Sequence, residues 1–130
     1  MASLEESIVD ILTGHAGLTS LVSDRVGPPP LPQGSSLPAI SFFRVSTLAV
    51  HAHSGNVGLK RSRMQFDVWG DSVSSVSAVV AQLEDALEHY RGTVAGVRID
   101  AALSIMDLQR YSPETESYRR IVDFYIWSDI

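Results

Sequence analysis

An amphipathic stretch near the middle of the chain limits the possible folds more than any other feature. Apolar residues recur there at helical spacing, with polar residues on the opposite side. The apolar stripe consists of Val73, Val76, Val79, Val80, Leu83, Ala86, Leu87 and Tyr90. With Asp71 as N-cap, the pattern predicts a helix of about 20 residues, about 30 Å long. Such a helix needs an apolar partner, so we expect it to lie across one face of a β-sheet.

Four segments with strand-like alternation flank this helix, two before it and two after it. They cover residues 38–45, 59–69, 97–111 and 117–128. Strands that follow each other through hairpin-like loops pair antiparallel. A capping box at Ser3 also predicts an N-terminal helix. The expected fold is therefore α+β: a four-stranded, mainly antiparallel sheet packed with one long helix and an N-terminal helix.

The connections are less regular than the strands. Residues 47–58 show no clear period and end in glycine and asparagine, and the strand that follows begins with polar residues, so we predict an extended loop at 47–63. Prolines at 28–32 predict a stiff extended connector, with a proline-rich ligand for a recognition domain as the alternative. A length of 130 residues suits one domain spanning 1–130.

Composition excludes several classes of site. The chain has no cysteine, which excludes disulfides and cysteine-ligated metal centres. Its N-terminus lacks the features of a signal peptide, and no apolar run reaches the roughly 20 residues of a membrane-spanning helix. The net charge of −5 argues against general nucleic-acid binding, although residues 38–63 alone carry +4.

No catalytic arrangement emerges from the remaining polar residues. His51 and His53 would share one face of a strand, but no third metal ligand stands near them. Carboxylates on the polar side of the long helix are typical of a solvated surface, and no nucleophile or phosphate-binding motif is present. We therefore predict a protein that is not an enzyme and has no catalytic, cofactor or metal site.

Cations and aromatic residues point to a protein partner instead. The short basic cluster Lys60-Arg61-Arg63 fits a charged strand edge or a contact with an acidic neighbouring subunit. Trp69 and Trp127 lie on strand faces opposite the long helix, so either the N-terminal helix or another subunit must cover them. The residues predicted for a subunit or tube interface are His51, His53, Lys60, Arg61, Arg63, Trp69 and Trp127.

Ordered segments along nearly the whole chain resemble the tail-completion, or tail-terminator, proteins of long-tailed bacteriophages and prophages. A first helix ends near Asp24-Arg25-Val26, before a proline-containing stretch. Leu37-Pro38-Ala39-Ile40 then leads into the first strand. Asp67-Val68-Trp69 ends the strand before the long helix, and the closing strand carries Arg119-Arg120 and the segment DFYIW.

The resemblance implies a structural virion protein rather than an enzyme. It implies a ring, commonly a hexamer, that ends the tail tube, meets the head–tail connector and lets DNA pass through its pore. Such a ring is located at the tail end of the virion and assembles in the host bacterial cytoplasm, without cofactor or membrane. Family members often use extended loops for these contacts, here residues 47–63. The alternatives are another neck or tail-tube subunit, or a small ligand-binding or enzymatic α+β domain.

Overall fold

In a computed structural model, two helices are followed along the chain by three strands, a third helix and three more strands. The structure describes residues 3–30, 34, 36–52 and 55–130, with the backbone alone at residues 52 and 55–57. The helices are α1 (Leu4–Thr13), α2 (Ala16–Val22) and α3 (Val73–Leu87). The strands are β1 (Val26–Gly27), β2 (Ala39–Ala52), β3 (Gly55–Gly70), β4 (Gly92–Val94), β5 (Val97–Ser112) and β6 (Ser117–Ser128).

The described strands form one six-stranded, curled, mixed sheet in the order β1-β2-β3-β6-β5-β4. Strand β1 runs parallel to β2, and the other pairs are antiparallel. The last long strand, β6, therefore lies in the middle, between β3 and β5. This arrangement brings the two halves of the chain together along the β3–β6 seam.

The expected fold class is wrong in its strand and helix counts. The described chain has six strands rather than four, and three short helices rather than one long helix with an N-terminal one. The two missed strands, β1 and β4, have two and three residues. Strand alternation is recognisable only over about four or more residues, so the sequence pattern does not reveal these two strands.

The core lies between one face of the sheet and the three helices. Phe66 on β3 is fully buried, with the Phe42 ring centre 5.4 Å away and the Phe124 ring centre 5.6 Å away. Leu4, Ile8 and Leu12 of α1 and Val76, Val80 and Leu83 of α3 belong to the same buried cluster. No described helix is long and apolar enough to cross a lipid bilayer.

Helix α3 is shorter than predicted at both ends. Ser72, not Asp71, is its N-cap, because the Ser72 hydroxyl accepts a hydrogen bond of 3.1 Å from the backbone N–H of Ser75. The helix ends at Leu87, since His89 adopts a positive φ of 62° and donates its backbone N–H to the Ala102 carbonyl at 2.7 Å. Bonding to β5 thus replaces the last predicted helical turn.

The loop predicted at 47–63 is instead part of a long hairpin. Strand β2 continues to Ala52 and β3 begins at Gly55, with register pairs from Thr47↔Ser62 out to Ala52↔Gly55. Two register shifts, between Arg44 and Ser46 and between Val50 and His51, interrupt the ladder. These bulges break the period-2 pattern, which is why the sequence resembles a loop.

Candidate functional site: an open sheet face and a two-stranded arm

The described helices pack on the face of the sheet that carries Phe66 and leave the opposite face without a helix over it. We call this opposite face the open face. From β2 through β3 and β6 to β5, register pairing gives it five rows: Ala39-Trp69-Arg119-Arg110, Ser41-Asp67-Ile121-Leu108, Phe43-Gln65-Asp123-Met106, Ser46-Arg63-Tyr125-Leu103 and Leu48-Arg61-Trp127-Ala101.

Apolar side chains of the open face stand in solvent. Phe43 is 40% exposed and Leu48 is 54% exposed, and the other exposed members are Leu103, Met106 and Leu108. They lie on both flanks of the face, on β2 and on β5. Exposed apolar side chains on both flanks of a face, with polar groups between them, are typical of an interaction surface.

Two guanidinium groups cover aromatic rings on this face. The Arg61 guanidinium lies 4.4 Å from the ring centre of Tyr125, and the Arg119 guanidinium lies 5.0 Å from that of Trp69. Trp127 packs edge-on against Tyr125, with ring centres 6.0 Å apart. Cation–π contacts of this kind favour the stacked arrangement by about 0.5–1 kcal/mol at exposed sites.

An ion pair with a buried carboxylate and a partly exposed guanidinium lies at the centre of the open face. Asp123 is fully buried, and its Oδ2 accepts hydrogen bonds from Arg63 Nε at 2.9 Å and Nη2 at 2.6 Å. These bonds and the Asp123 charge raise the pKa of Arg63 above its ordinary value. Oδ1 of Asp123 accepts no hydrogen bond within the described part of the chain. Arg63 is therefore the group that compensates a carboxylate buried among apolar neighbours.

Asp67 occupies the next row of the open face and is nearly buried, at 9% exposure. Burial raises its pKa above the ordinary value of 3.8, and the Asp123 charge adds to the rise. The Arg119 charge and a hydrogen bond of 3.4 Å donated by Gln65 Nε2 oppose that rise. The folded protein thus disfavours the ionised form of Asp67.

Replacing Asp67 with asparagine should stabilise the protein at neutral pH. Because the folded-state pKa is raised, Asp67 favours folding below pH 3.8, and this contribution is lost as the pH rises through the folded-state pKa. An asparagine side chain does not ionise, so the gain should appear above that pKa and vanish at about pH 3. We expect less than about 1 kcal/mol, since solvent screens a carboxylate at a sheet surface.

Urea unfolding of both proteins at a series of pH values measures this difference. Asp71→Asn, at an exposed position just beyond the same strand, is the matched control and should leave the pH profile unchanged. If the Asp67→Asn variant were no more stable than wild type at pH 7, ionised Asp67 would not be destabilising the folded protein, which would contradict the prediction.

The end of the β2–β3 hairpin projects beyond the rest of the sheet. Strand β6 ends at Ser128, which pairs with Lys60, so the residues of β3 before Lys60 pair with β2 only. We call residues 48–52 and 55–61 the arm; its base, at Lys60 and Arg61, still pairs with β6, and the ribbon beyond that base is two-stranded. A two-stranded ribbon is marginally stable in water, so an arm of this kind gains stability from a covering partner.

The family model described as tail completion protein gp17 matches residues 6–129. The chain belongs to this family. A chain from a solved structure titled "Virion of native gene transfer agent (GTA) particle" shares the fold, with a TM-score of 0.79 and 18% sequence identity. The match covers 97% of this chain and 94% of that one. A search of curated proteins gives no match.

Membership confirms the resemblance recognised in the sequence and identifies the chain as a structural protein of the phage tail. In this tail-completion protein, four of the predicted interface residues lie in the hairpin or beside it. His51 and Lys60 are exposed on the arm, Arg61 stands at its base, and Arg63 lies within the sheet. His53 lies outside the described residues.

The two tryptophans are on the open face but at opposite ends of it. Trp127 adjoins Arg61 in register, whereas Trp69 is eight residues further along β3, roughly 27 Å away. Of the two covers considered for these rings, the N-terminal helix is not the one, because α1 packs on the other face. Their assignment to a subunit or tube interface stays a prediction.

Several residues of the open face escaped the sequence reasoning, above all Asp123, Asp67 and the aliphatic residues of β5. Alternation within β6 already places Asp123 on the same side as Tyr125 and Trp127. A charge at that position in an apolar strand is a signal of a buried pair. Its partner, Arg63, is sixty residues earlier in the chain, and only strand register identifies it.

Proposed function

We propose that this tail-completion protein forms a homo-oligomeric ring, a hexamer, that ends the tail tube and joins it to the head–tail connector. Its partners are further copies of itself, the tail tube protein and the connector, with DNA passing through the central pore. It works at the tail end of the virion, after assembly in the host bacterial cytoplasm. Its role is geometric and needs no cofactor or catalysis, and residues 1–130 act as one domain.

The observation that carries this proposal is the open face with its exposed apolar side chains. It occurs in a chain that belongs to the tail-completion family. Exposed aliphatic residues flank a centre in which Arg63 and Asp123 already neutralise each other, so covering that pair costs little further desolvation. The Tyr125 and Trp69 rings are already stacked under guanidinium groups, so a partner that contacts them orders them little further. A partner that covers this face therefore gains apolar burial at a small entropic cost.

A tail-tube subunit is the second candidate function. The sheet has six strands instead of the expected four, which weakens the sequence-based argument that the chain is too helical for a tube protein. The two functions differ in whether the assembly of subunits closes on itself. A terminator ring closes on itself, whereas tube subunits stack into open-ended polymers.

A charge placed on the open face should break the oligomer. We expect Leu103→Glu to weaken self-association at least about tenfold, because it places a charge against Tyr125 in the surface to be buried. The matched control is Val73→Glu, since Val73 is an apolar residue of 45% exposure on α3, away from this face. Sedimentation velocity over a concentration series, with electron microscopy of the assembled fraction, measures both effects.

Closed six-membered rings in the wild-type protein would favour the terminator function, and growing filaments would favour the tube function. A strict monomer at high concentration, alone and with purified tail tubes, would contradict the ring. Equal association of the Leu103→Glu and Val73→Glu variants would show that the ring forms through another surface.

A further inference from the structure

A cavity of about 500 Å³ opens on the side of the molecule where α1 meets β2. Its apolar part consists of Val9, Pro28 and Phe42, and its polar part consists of Glu5, Glu6 and Asp10. Phe42 is 3% exposed, so the ring at the base of the cavity is packed into the core. We call this cavity the acidic pocket.

Two of the three carboxylates in the acidic pocket are not neutralised by a neighbour. Arg44 holds Glu5 through Nη2 at 2.8 Å and Nε at 3.1 Å. Glu6 and Asp10 are exposed, four residues apart on one side of α1, and neither forms an ion pair within residues 3–30, 34, 36–52 and 55–130. An apolar hollow with two free negative charges suits a segment that carries aliphatic side chains and cations.

The arm is a segment of that chemistry. Register pairing places Leu48, Val50 and Leu59 on one side of the ribbon, together with Arg61. Lys60 is exposed on the other side. Among the described residues, the Arg61 guanidinium keeps its N–H edge free for a carboxylate while its flat face covers Tyr125. The flexible four-carbon stem of Lys60 lets its ammonium group reach past the edge of the ribbon toward the same carboxylates.

The arm of a copy cannot fill that copy's own acidic pocket. Phe42 at the pocket and Val50 on the arm belong to the same strand, eight residues apart, which is roughly 27 Å of extended chain. The strand carries the arm away from the pocket. The partner that fits is the arm of another copy.

We infer that the arm of one copy docks in the acidic pocket of the next. The aliphatic side of the arm packs on Val9, Pro28 and Phe42, while Lys60 and Arg61 face Glu6 and Asp10. The arm and the acidic pocket are different surfaces of the molecule, so each copy inserts its arm into one neighbour and receives the arm of another. Such a head-to-tail contact generates a ring when the rotation between copies closes. This inference rests on the proposed ring and names the contact between its subunits.

Exchanging the charges tests the pairing directly. One variant carries Lys60→Glu and Arg61→Glu, and the other carries Glu6→Lys and Asp10→Lys. Each alone should associate at least about tenfold more weakly than wild type, because like charges then meet at every contact. An equimolar mixture should assemble again, since each reversed arm meets a reversed pocket, and native mass spectrometry should show the two variants in equal numbers.

Two further variants separate this effect from damage to the fold. Glu6→Gln with Asp10→Asn keeps the shape of the pocket and removes its charge, so association should weaken by less than in the reversed variant. Asp24→Lys with Asp71→Lys makes the same charge change at exposed positions outside the pocket and should associate like wild type.

A mixture that stays monomeric, or a pocket-reversed variant that assembles like wild type, would overturn the inference while leaving the ring intact. A pocket-reversed variant that forms rings but no longer binds tail tubes would assign the pocket to the tube protein, which also overturns it. A wild-type protein that never associates would instead remove the proposed function.

Discussion

Replacing Phe66 with alanine is expected to lower the free energy of unfolding by about 3–5 kcal/mol, the usual cost of deleting a buried phenylalanine ring. Phe66 is fully buried on β3, stacked on Phe42 and edge-on to Phe124. Its removal leaves a cavity between two rings from β2 and β6, where neighbouring strands prevent the backbone from closing the gap. Since small proteins have about 5–15 kcal/mol of stability in total, a large fraction of the variant should unfold at moderate temperature.

Phe43→Ala is the matched control for this loss. Phe43 lies on the other face of the neighbouring strand and is 40% exposed, so its removal should cost less than about 1 kcal/mol. Urea unfolding followed by circular dichroism gives both values. At a temperature low enough for both variants to stay folded, Phe43→Ala should weaken self-association more than Phe66→Ala, because Phe43 lies on the open face and Phe66 does not. Similar stability losses in the two variants would contradict the assignment of the core to the helix side of the sheet.

Replacing Arg63 with methionine should destabilise the protein more than any other single arginine replacement on the open face. The substitution leaves the fully buried Asp123 carboxylate without its two hydrogen bonds. A buried charge without compensation is strongly destabilising, whereas replacing both members of the pair with apolar residues is often neutral. The double variant Arg63→Met with Asp123→Leu should therefore recover more than half of the lost stability.

Thermal unfolding of the two single variants and the double variant forms a cycle that measures this coupling. Arg110→Met is the matched control, an exposed arginine of the same face at the far end of β5, and it should barely change the Tm. Additive losses in the double variant would contradict the role of Arg63 as the partner of Asp123. Because Arg63 pairs with Asp123, replacing Arg63 together with Lys60 and Arg61 would disturb the fold and would not test the arm alone.

Local pattern sufficed for much of the secondary structure. The predicted range of the last strand, 117–128, is the observed β6. Alternation within the segment 59–69 places Met64, Phe66 and Val68 on one face of β3, and all three are buried. These features depend on residues within a few positions of each other, so a single segment contains all the information that predicts them.

Features that depend on distant partners were missed. The helix ends early at Leu87 because His89 bonds to β5, and the short strands β1 and β4 exist only as neighbours of longer ones. The arm was read as a loop because bulges opposite β3 interrupt its alternation. In each case a hydrogen-bond partner elsewhere in the chain outweighs the local preference of the segment.

The sequence by itself determined the apolar faces of the long strands, the absence of cysteine chemistry, the family to which the chain belongs and the side of the sheet on which the two tryptophans lie. Only the tertiary structure decided which residues meet across that face. Arg63 pairs with the buried Asp123, and Arg61 and Arg119 cover aromatic rings, because β6 lies between β3 and β5 in one particular register. Register is chosen by the burial of all the strands together, and no segment of the chain carries that information alone.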